Sequence, residues 1–422
     1  MPSTSRRLIV HHEDAGHVGS ISAQAAHERQ ENVCLVGAPS PVEPPGGHGL
    51  AGAHRASWPP RILHRVKDGA ASGYLIYGAN GYTGRLIARY AVERDQRPIL
   101  AGRNAPAVEK VATALGLEAR VFDLGDPAAV DRGLAGIRAV LHCAGPFAHT
   151  SRPMVDACLR NGVTYLDITG EVAVFEACAA RDAEARRAGV MLMPGVGFDV
   201  VPSDCLAAHL KRRLPAATRL SLAISGLTQT SQGTAATMIE NLHRGGLVRR
   251  AGRLTPVGLG HETRVIDFGR GPETAVAMPW GDVATAYYST AIPDITVYMA
   301  MPAGMRLGVA FAGALAPLLG NALVQRALKA GVQAGPAGPS DEQRARGASH
   351  LWGEVVDPAG RRAVSRLRTP EGYTLTALAA LEITARVLAG AAPVGYRTPA
   401  SAYGPDLILA ISGCERRDDP MA

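Results

Sequence analysis

The sequence predicts an α/β fold: a Rossmann-type doubly wound parallel sheet followed by a second α+β domain containing a largely antiparallel sheet. Three observations predict it. Between Tyr74 and about residue 200, six short apolar runs ("YLIY", "PIL", "ARVF", "RAVLHC", "VTYLDI", "GVMLM") alternate with Ala/Leu/Arg-rich segments of helical length, a βαβ series. These runs are continuously apolar, as strands covered by helices on both faces are. Beyond them the rhythm lengthens into extended stretches such as "RLSLAISGLTQT", "ETRVIDFG" and "DITVYMAM".

Taken in order, residues 1–70 read as a disordered tail, Pro/Gly-rich without apolar periodicity and holding seven of the thirteen histidines. His11, His12 and His17 are expected to be solvated, and no metal site is expected. Arg6 and Arg7 precede only Leu-Ile-Val, too short a stretch for a secretory or twin-arginine signal. Residues 73–205 read as a dinucleotide-binding domain and 206–370 as a domain for substrate or oligomer contacts. Asp357-Pro358-Ala359-Gly360 marks a hairpin turn between "LWGEVVD" and "RAVSRLRT". In the last part, 371–422, a helix over about Glu371–Leu388, stopped at Gly390, is expected to pack back on the first domain.

Composition narrows the function. Hydrophobic residues make up 47% of the 422, enough for two cores. Lys+Arg exceeds Asp+Glu, 44 to 37, but only Lys67, Lys110, Lys211 and Lys329 are lysines, there is no basic run, and aromatics are 5%. Nucleic-acid binding is therefore not expected. Six scattered cysteines with no C-x-x-C pair fit a reducing cytoplasm.

The candidate cofactor turn is "YLIYGANGYTG", Tyr74 to Gly84, where an apolar run passes into a helix. Gly78, Gly81 and Gly84, with Ala79, Asn80, Tyr82 and Thr83 between them, suit a pyrophosphate: glycines let the backbone approach, and the helix N-terminus offers N–H groups. The spacing is G-x-x-G-x-x-G rather than G-x-G-x-x-G. About twenty residues on, where an NAD site carries a carboxylate against the ribose, the chain reads "LAGRN". Arg103, beside Asn104, suits a 2′-phosphate, so NADP(H) is the expected cofactor. Asp123, ending the third strand, is either an adenine contact or a loop carboxylate, and Asp126-Pro127 reads as a helix cap.

"LHCAGPF" brings Cys143, Ala144, Gly145 and Pro146 to the carboxyl end of the sheet, where the nicotinamide ribose is expected. His142 and Cys143 read as core residues first and chemical groups second. "PGVGFDVVPSD" opens at the same edge; Asp199 is the candidate catalytic acid, placed to orient substrate or relay a proton, whereas Ser203 and Asp204 read as loop or capping residues.

These segments, "YGANGYTG", "LAGRN", "CAGPF", "YLDITGE" and "PGVGFDVVPSD", resemble the saccharopine dehydrogenase-like oxidoreductases, including their trans-acting enoyl reductase branch. The resemblance continues through "GTAATMIENL", "GPSDEQR", "LWGEVVD" and "GYRTPASAYG", over about 73–413. It implies an NADP-dependent oxidoreductase whose second domain serves substrate and often subunit contacts, hence a homodimer. Its second-half motifs point to reduction of an activated C=C bond in an α,β-unsaturated acyl thioester, with an acyl-carrier partner. Imine reduction on an amino-acid-like substrate and a non-catalytic NADPH sensor stay open beside it. A short-chain dehydrogenase is not expected, because no tyrosine is followed four residues on by lysine. Nor is an acyl-phosphate reductase, since Cys143 and Cys158 have no evident histidine partner.

The most apolar window is "LGVAFAGALAPLLG", Leu307–Gly320, too short to span a bilayer. It reads as a buried or interfacial helix, or as a segment that lines an acyl site or rests peripherally on a membrane.

Overall fold

The apolar runs become strands because their carboxyl ends break at glycine or proline and each is followed by an amphipathic helix. In the computed structural model, which describes residues 73–226, 229–241, 245–314, 319 and 321–422, β1 (Gly73–Tyr77), β2 (Ile99–Gly102), β3 (Ala119–Val121), β4 (Ile137–His142), β5 (Thr164–Asp167) and β6 (Met191–Met193) form a parallel sheet. The expected tail, residues 1–70, lies outside the described residues. The order β3-β2-β1-β4-β5-β6 reverses direction between β1 and β4, and a two-residue strand, Gly395–Tyr396, extends the sheet beyond β6.

Local chemistry starts and stops the helices. The helix α1 (Tyr82–Val92) begins at Gly81, and α2 (Ala105–Leu115) is capped by the Asn104 side chain, which accepts from Ala107 N at 3.1 Å; Gly116 closes it at φ +64°. As expected, Asp126 caps α3 (Pro127–Gly133), accepting from the N–H groups of Ala128 and Ala129. After β4 comes α4 (Phe147–Asn161), then α5 (Val172–Ala179) and α6 (Asp182–Ala188), and α7 (Val201–Arg213) leads away from β6.

The second sheet holds β7 (Arg219–Ser225), β10 (Thr263–Asp267), β11 (Pro272–Ala277), β12 (Asp294–Ala300), β13 (Ala348–Val356), β14 (Arg362–Pro370) and β16 (Glu415–Asp418), in the order β10-β11-β12-β7-β13-β14-β16. All neighbours on this path are antiparallel except β7 and β12. A hairpin of β8 (Gly246–Arg250) and β9 (Arg253–Val257) attaches through β12. The strands β8, β9 and β11 carry no clear mark in the sequence, because arginine and proline mute their alternation. The turn Asp357–Gly360 forms as read, with Gly360 N donating to Asp357 O at 3.0 Å and Gly360 at φ +86°.

Between the sheets lies α13 (Gly372–Leu388), capped by Glu371 and packed on α1, β1 and β4. Its Leu375, Ile383 and Val387 join one continuous core with Ile76 and Leu141 of the first sheet and Leu222, Val297 and Leu351 of the second. The chain end after this helix divides: β16 pairs with β14, in the second sheet.

Ser203 and Asp204 lie fully buried in the first turn of α7 rather than in a loop, and Asp204 accepts from Ser289 of α9 (Asp282–Thr290) and from Ala400 N in α14 (Pro399–Tyr403), a capping contact to a helix remote in sequence. The described part of the apolar window at Leu307 lies in α10 (Ala303–Ala314), whose Leu307 and Phe311 are 60% and 61% exposed, which excludes the buried helix and leaves the interfacial one; 315–318, with Leu315, and 320 lie outside the described residues.

Candidate functional site

The glycine turn is shaped by approaches that a side chain would block. Gly78 sits at φ +83°, and a Cβ on it would stand 2.8 Å from Ala144 N and 2.9 Å from the Cys143 carbonyl carbon. The β1–α1 turn therefore lies against the β4 loop where the strand order reverses, the place where open α/β sheets bind ligands. A Cβ on Gly84 would meet Gly78 O at 2.4 Å, so only glycine lets α1 pack this closely on β1. Gly78 N and Ala79 N donate to Ala101 O, and Gly81 N donates to Gly78 O. The N–H groups of Tyr82, Thr83 and Gly84 open a helix with no side-chain cap, leaving donors and the positive end of the dipole for an anion.

Tyr82 is turned to another task. Its hydroxyl donates to Pro339 O at 2.5 Å and accepts from Arg344 at 2.7 Å, in α12 (Asp341–Arg346), and its ring packs edge-on against Tyr373 with centroids 5.1 Å apart. This ties the turn to the second half of the chain.

At the end of β2, Arg103 is exposed and, among the described residues, makes no hydrogen bond or ion pair. Asn80 stands beside this strand end, its Oδ1 3.2 Å from the place of a Cβ on Gly102. The Asn104 side chain is taken up in capping α2. Asp123 Oδ1 accepts from Gly125 N at 2.7 Å, the loop role. Asp123 and Arg103 flank the Tyr77 hydroxyl, which burial pushes up to about 12.

The β4–β6 edge is more tightly built than the sequence suggests. Glu171 accepts from Phe147 N at 2.8 Å and Ala148 N at 2.9 Å, clasping the start of α4 just after Cys143, Ala144, Gly145 and Pro146, the last two joined by a cis peptide. Asp167 accepts from Thr169 N, Gly195 N and the Tyr165 hydroxyl, and burial pushes its carboxyl up to about 7. His142 is buried, held down to about 3, and bonded to Thr150 at 3.0 Å, so it is a neutral core residue. Burial also raises the thiols of Cys143 and Cys158, which removes the thiolate an acyl-phosphate reductase needs.

Asp199 occupies the mouth of this edge. It is half-buried, and desolvation pushes its carboxyl up to about 6. That carboxyl stands 3.1 Å from the place of a Cβ on Gly170 and has no hydrogen-bond partner among the described residues. Its main-chain oxygen accepts from Trp280 Nε1 at 2.9 Å, and the adjacent Phe198 N donates to Thr376 at 3.0 Å. The Tyr373 hydroxyl, whose titration the Asp199 charge influences, accepts from Ser231 N and bonds Thr234. Sequence reasoning missed Trp280, Tyr373, Thr376, Glu171 and Asp167. Only "YLDITGE" carried a signal for the last two.

A cleft of about 490 Å³ opens beside the turn between α1 and α2, lined by Asn80, Tyr82, Arg85, Lys110 and Arg344 among others. It includes neither Arg103 nor Asp199, so the geometry of the strand ends, not this cleft, locates the site. Among the described residues no cluster fit to hold a metal occurs.

Residues 74–193 match the saccharopine dehydrogenase NADP binding domain. A "Trans-acting enoyl reductase" of Mycobacterium leprae is 32% identical over 148 residues, 33% of this chain and 35% of that protein. A "Saccharopine dehydrogenase-like oxidoreductase" of Mus musculus is 31% identical over 160 residues, 33% of this chain and 37% of that protein. The match thus spans about a third of these relatives' length, less than the 73–413 suggested by the motifs. In fold the likeness is broader: saccharopine dehydrogenase (L-Glu forming) of Saccharomyces cerevisiae superposes with a TM-score of 0.56 at 12% identity, over 83% of this chain and all of the yeast chain. The glycine turn, Arg103 and the β4 loop all fall within the stretch, residues 74–193, that matches the saccharopine dehydrogenase NADP binding domain.

Proposed function

We propose that this protein is an NADPH-dependent reductase of an activated C=C bond, acting on an α,β-unsaturated acyl thioester presented by an acyl carrier. The observation that carries the reading is Asp199: a carboxyl raised to about 6, without a hydrogen-bond partner among the described residues, at the ligand-binding edge of an NADP-binding sheet. The α1 N-terminus with Gly78, Gly81 and Gly84 would hold the pyrophosphate, Arg103 the 2′-phosphate, and the Ala144–Pro146 loop the nicotinamide ribose. NADPH, when bound, supplies hydride to the β-carbon. Asp199, protonated, gives its proton to the α-carbon, so that the π bond is replaced by two C–H bonds and the carboxylate is reloaded from water.

The names of relatives such as the Mycobacterium leprae protein agree with this chemistry. The test is NADPH oxidation with enoyl thioesters as a function of pH. Turnover should fall as pH rises through about 6, where Asp199 loses its proton. Asp199→Asn should lower kcat by about a hundredfold or more while leaving NADPH affinity intact. Activity confined to amino acid and aldehyde pairs would replace this reading with imine reduction.

A further inference from the structure

A helix that is apolar on nearly every side belongs in a core or in lipid, and α10 is in neither among the described residues. It rests on the second sheet by a narrow stripe, Val309 packing against the Val276, Met299 and Met301 cluster, with Arg306 bonded to Met301 O. Of its other described side chains, Met305, Leu307 and Phe311 are 56%, 60% and 61% exposed. The next helix, α11 (Ala322–Gln333), packs on α8 (Gln232–Asn241) yet buries none of its residues, and leaves Leu323 71% exposed. Charge is the second observation. From Ile295 to Ser340 the chain contains no Asp or Glu, while Arg306, Arg326 and Lys329 fall within it. Among the described residues Lys329 alone of these is paired with an acid, Glu240 of α8.

We infer that α10 and α11 form a docking face for an anionic lipid bilayer, lying in the interface with their apolar side chains among the acyl chains and their cations at the headgroups. The occupant follows from the charge. An anionic surface complements Arg306 and Arg326, which no acid within this stretch balances. No helix among the described residues is long and apolar enough to cross a membrane, so the contact is peripheral. The face does not include Asp199 or the glycine turn, and the inference stands or falls apart from the acceptor proposed above.

Flotation of the full chain with vesicles tests it without any measurement of turnover. Binding is expected to equimolar phosphatidylcholine–phosphatidylglycerol vesicles and to be much weaker to phosphatidylcholine alone. Leu307→Asp and Phe311→Asp should each reduce it by roughly tenfold or more, and Arg326→Gln by about fivefold, with salt weakening the wild type. All three sites are surface positions, and unchanged NADPH binding reports that the variants are folded. Equal binding to neutral and anionic vesicles, or none to either, would overturn the inference. So would a dimer in sedimentation that Phe311→Asp dissociates, since that face would then belong to a second copy.

Discussion

The two sheets bury themselves differently, and the difference explains where function sits. In the first sheet β5 and β6 are buried along their whole length, whereas β14 of the second alternates buried with half-buried or exposed residues. A parallel sheet covered by helices on both faces offers a ligand only its carboxyl edge, so its functional residues gather in loops marked by glycine. An antiparallel sheet can leave one face open to water. Here the second sheet sends its half of the chain to the site by way of segments outside the strands, those of Trp280, Tyr373 and Thr376.

Substitutions can break this comparison, beginning with the backbone contacts of the first sheet. In Gly84→Val the Cβ would meet a main-chain oxygen at 2.4 Å, so a loss of about 3 kcal/mol or more is expected, together with loss of NADPH binding. In the second sheet a Cβ in Gly353→Ala would meet leucine side chains alone, the tip of Leu210 at 2.5 Å and those of Leu206 and Leu222 at 3.3 Å, and side chains can turn aside; about 1 kcal/mol is expected. Equal shifts in denaturant midpoint would mean that the two sheets are equally unforgiving.

Arg103→Ala probes the exposed edge of the first sheet. It should weaken NADPH by roughly 1.5 to 3 kcal/mol and spare NADH, as removing a charged hydrogen bond does. Isothermal titration with both cofactors decides it, and equal loss would reassign the residue.

Asp167 sharpens the contrast through pH. Its carboxyl rises from 3.8 to about 7 on folding, so the folded state holds the proton more tightly than the unfolded chain. The resulting stability is present in full below about 3.8 and is lost as pH rises through about 7. Asp167→Asn should therefore flatten the fall of melting temperature over that window, leaving the smaller contributions of Asp199 and Asp204, both raised to about 6. An unaltered slope would show that Asp167 is ionised in the fold. Smallest of all is Val265→Thr on β10, 67% exposed, expected within about 0.5 kcal/mol of the wild type.

Much of this was legible. The first six strands, the cap at Asp126 and the turn at Asp357–Gly360 follow from short-range patterns and form where they were read. The mixed second sheet was legible only in outline, because β8, β9 and β11 carry arginine and proline in place of clean alternation and owe their pairing to neighbours far along the chain. At the site, the glycines and Arg103 were readable from spacing. Glu171 clasping Phe147 N was not, since a glutamate before an apolar run looks like any helix start.

By itself the sequence determined the features whose physics is local. Gly78 must be glycine because its own φ is positive, Gly84 because the carbonyl of Gly78 in the preceding turn touches it, and Arg103 stands at a strand end because the apolar run stops there. The tertiary structure alone decided what each polar group faces. It turned Tyr82 away to Pro339 and Arg344, sank Asp204 between helices to cap Ala400, and left Asp199 half-buried beneath Trp280 with its proton held more tightly than in water. Desolvation depends on every atom that excludes water, and at Asp199 those atoms come from residues that spacing along the chain does not relate.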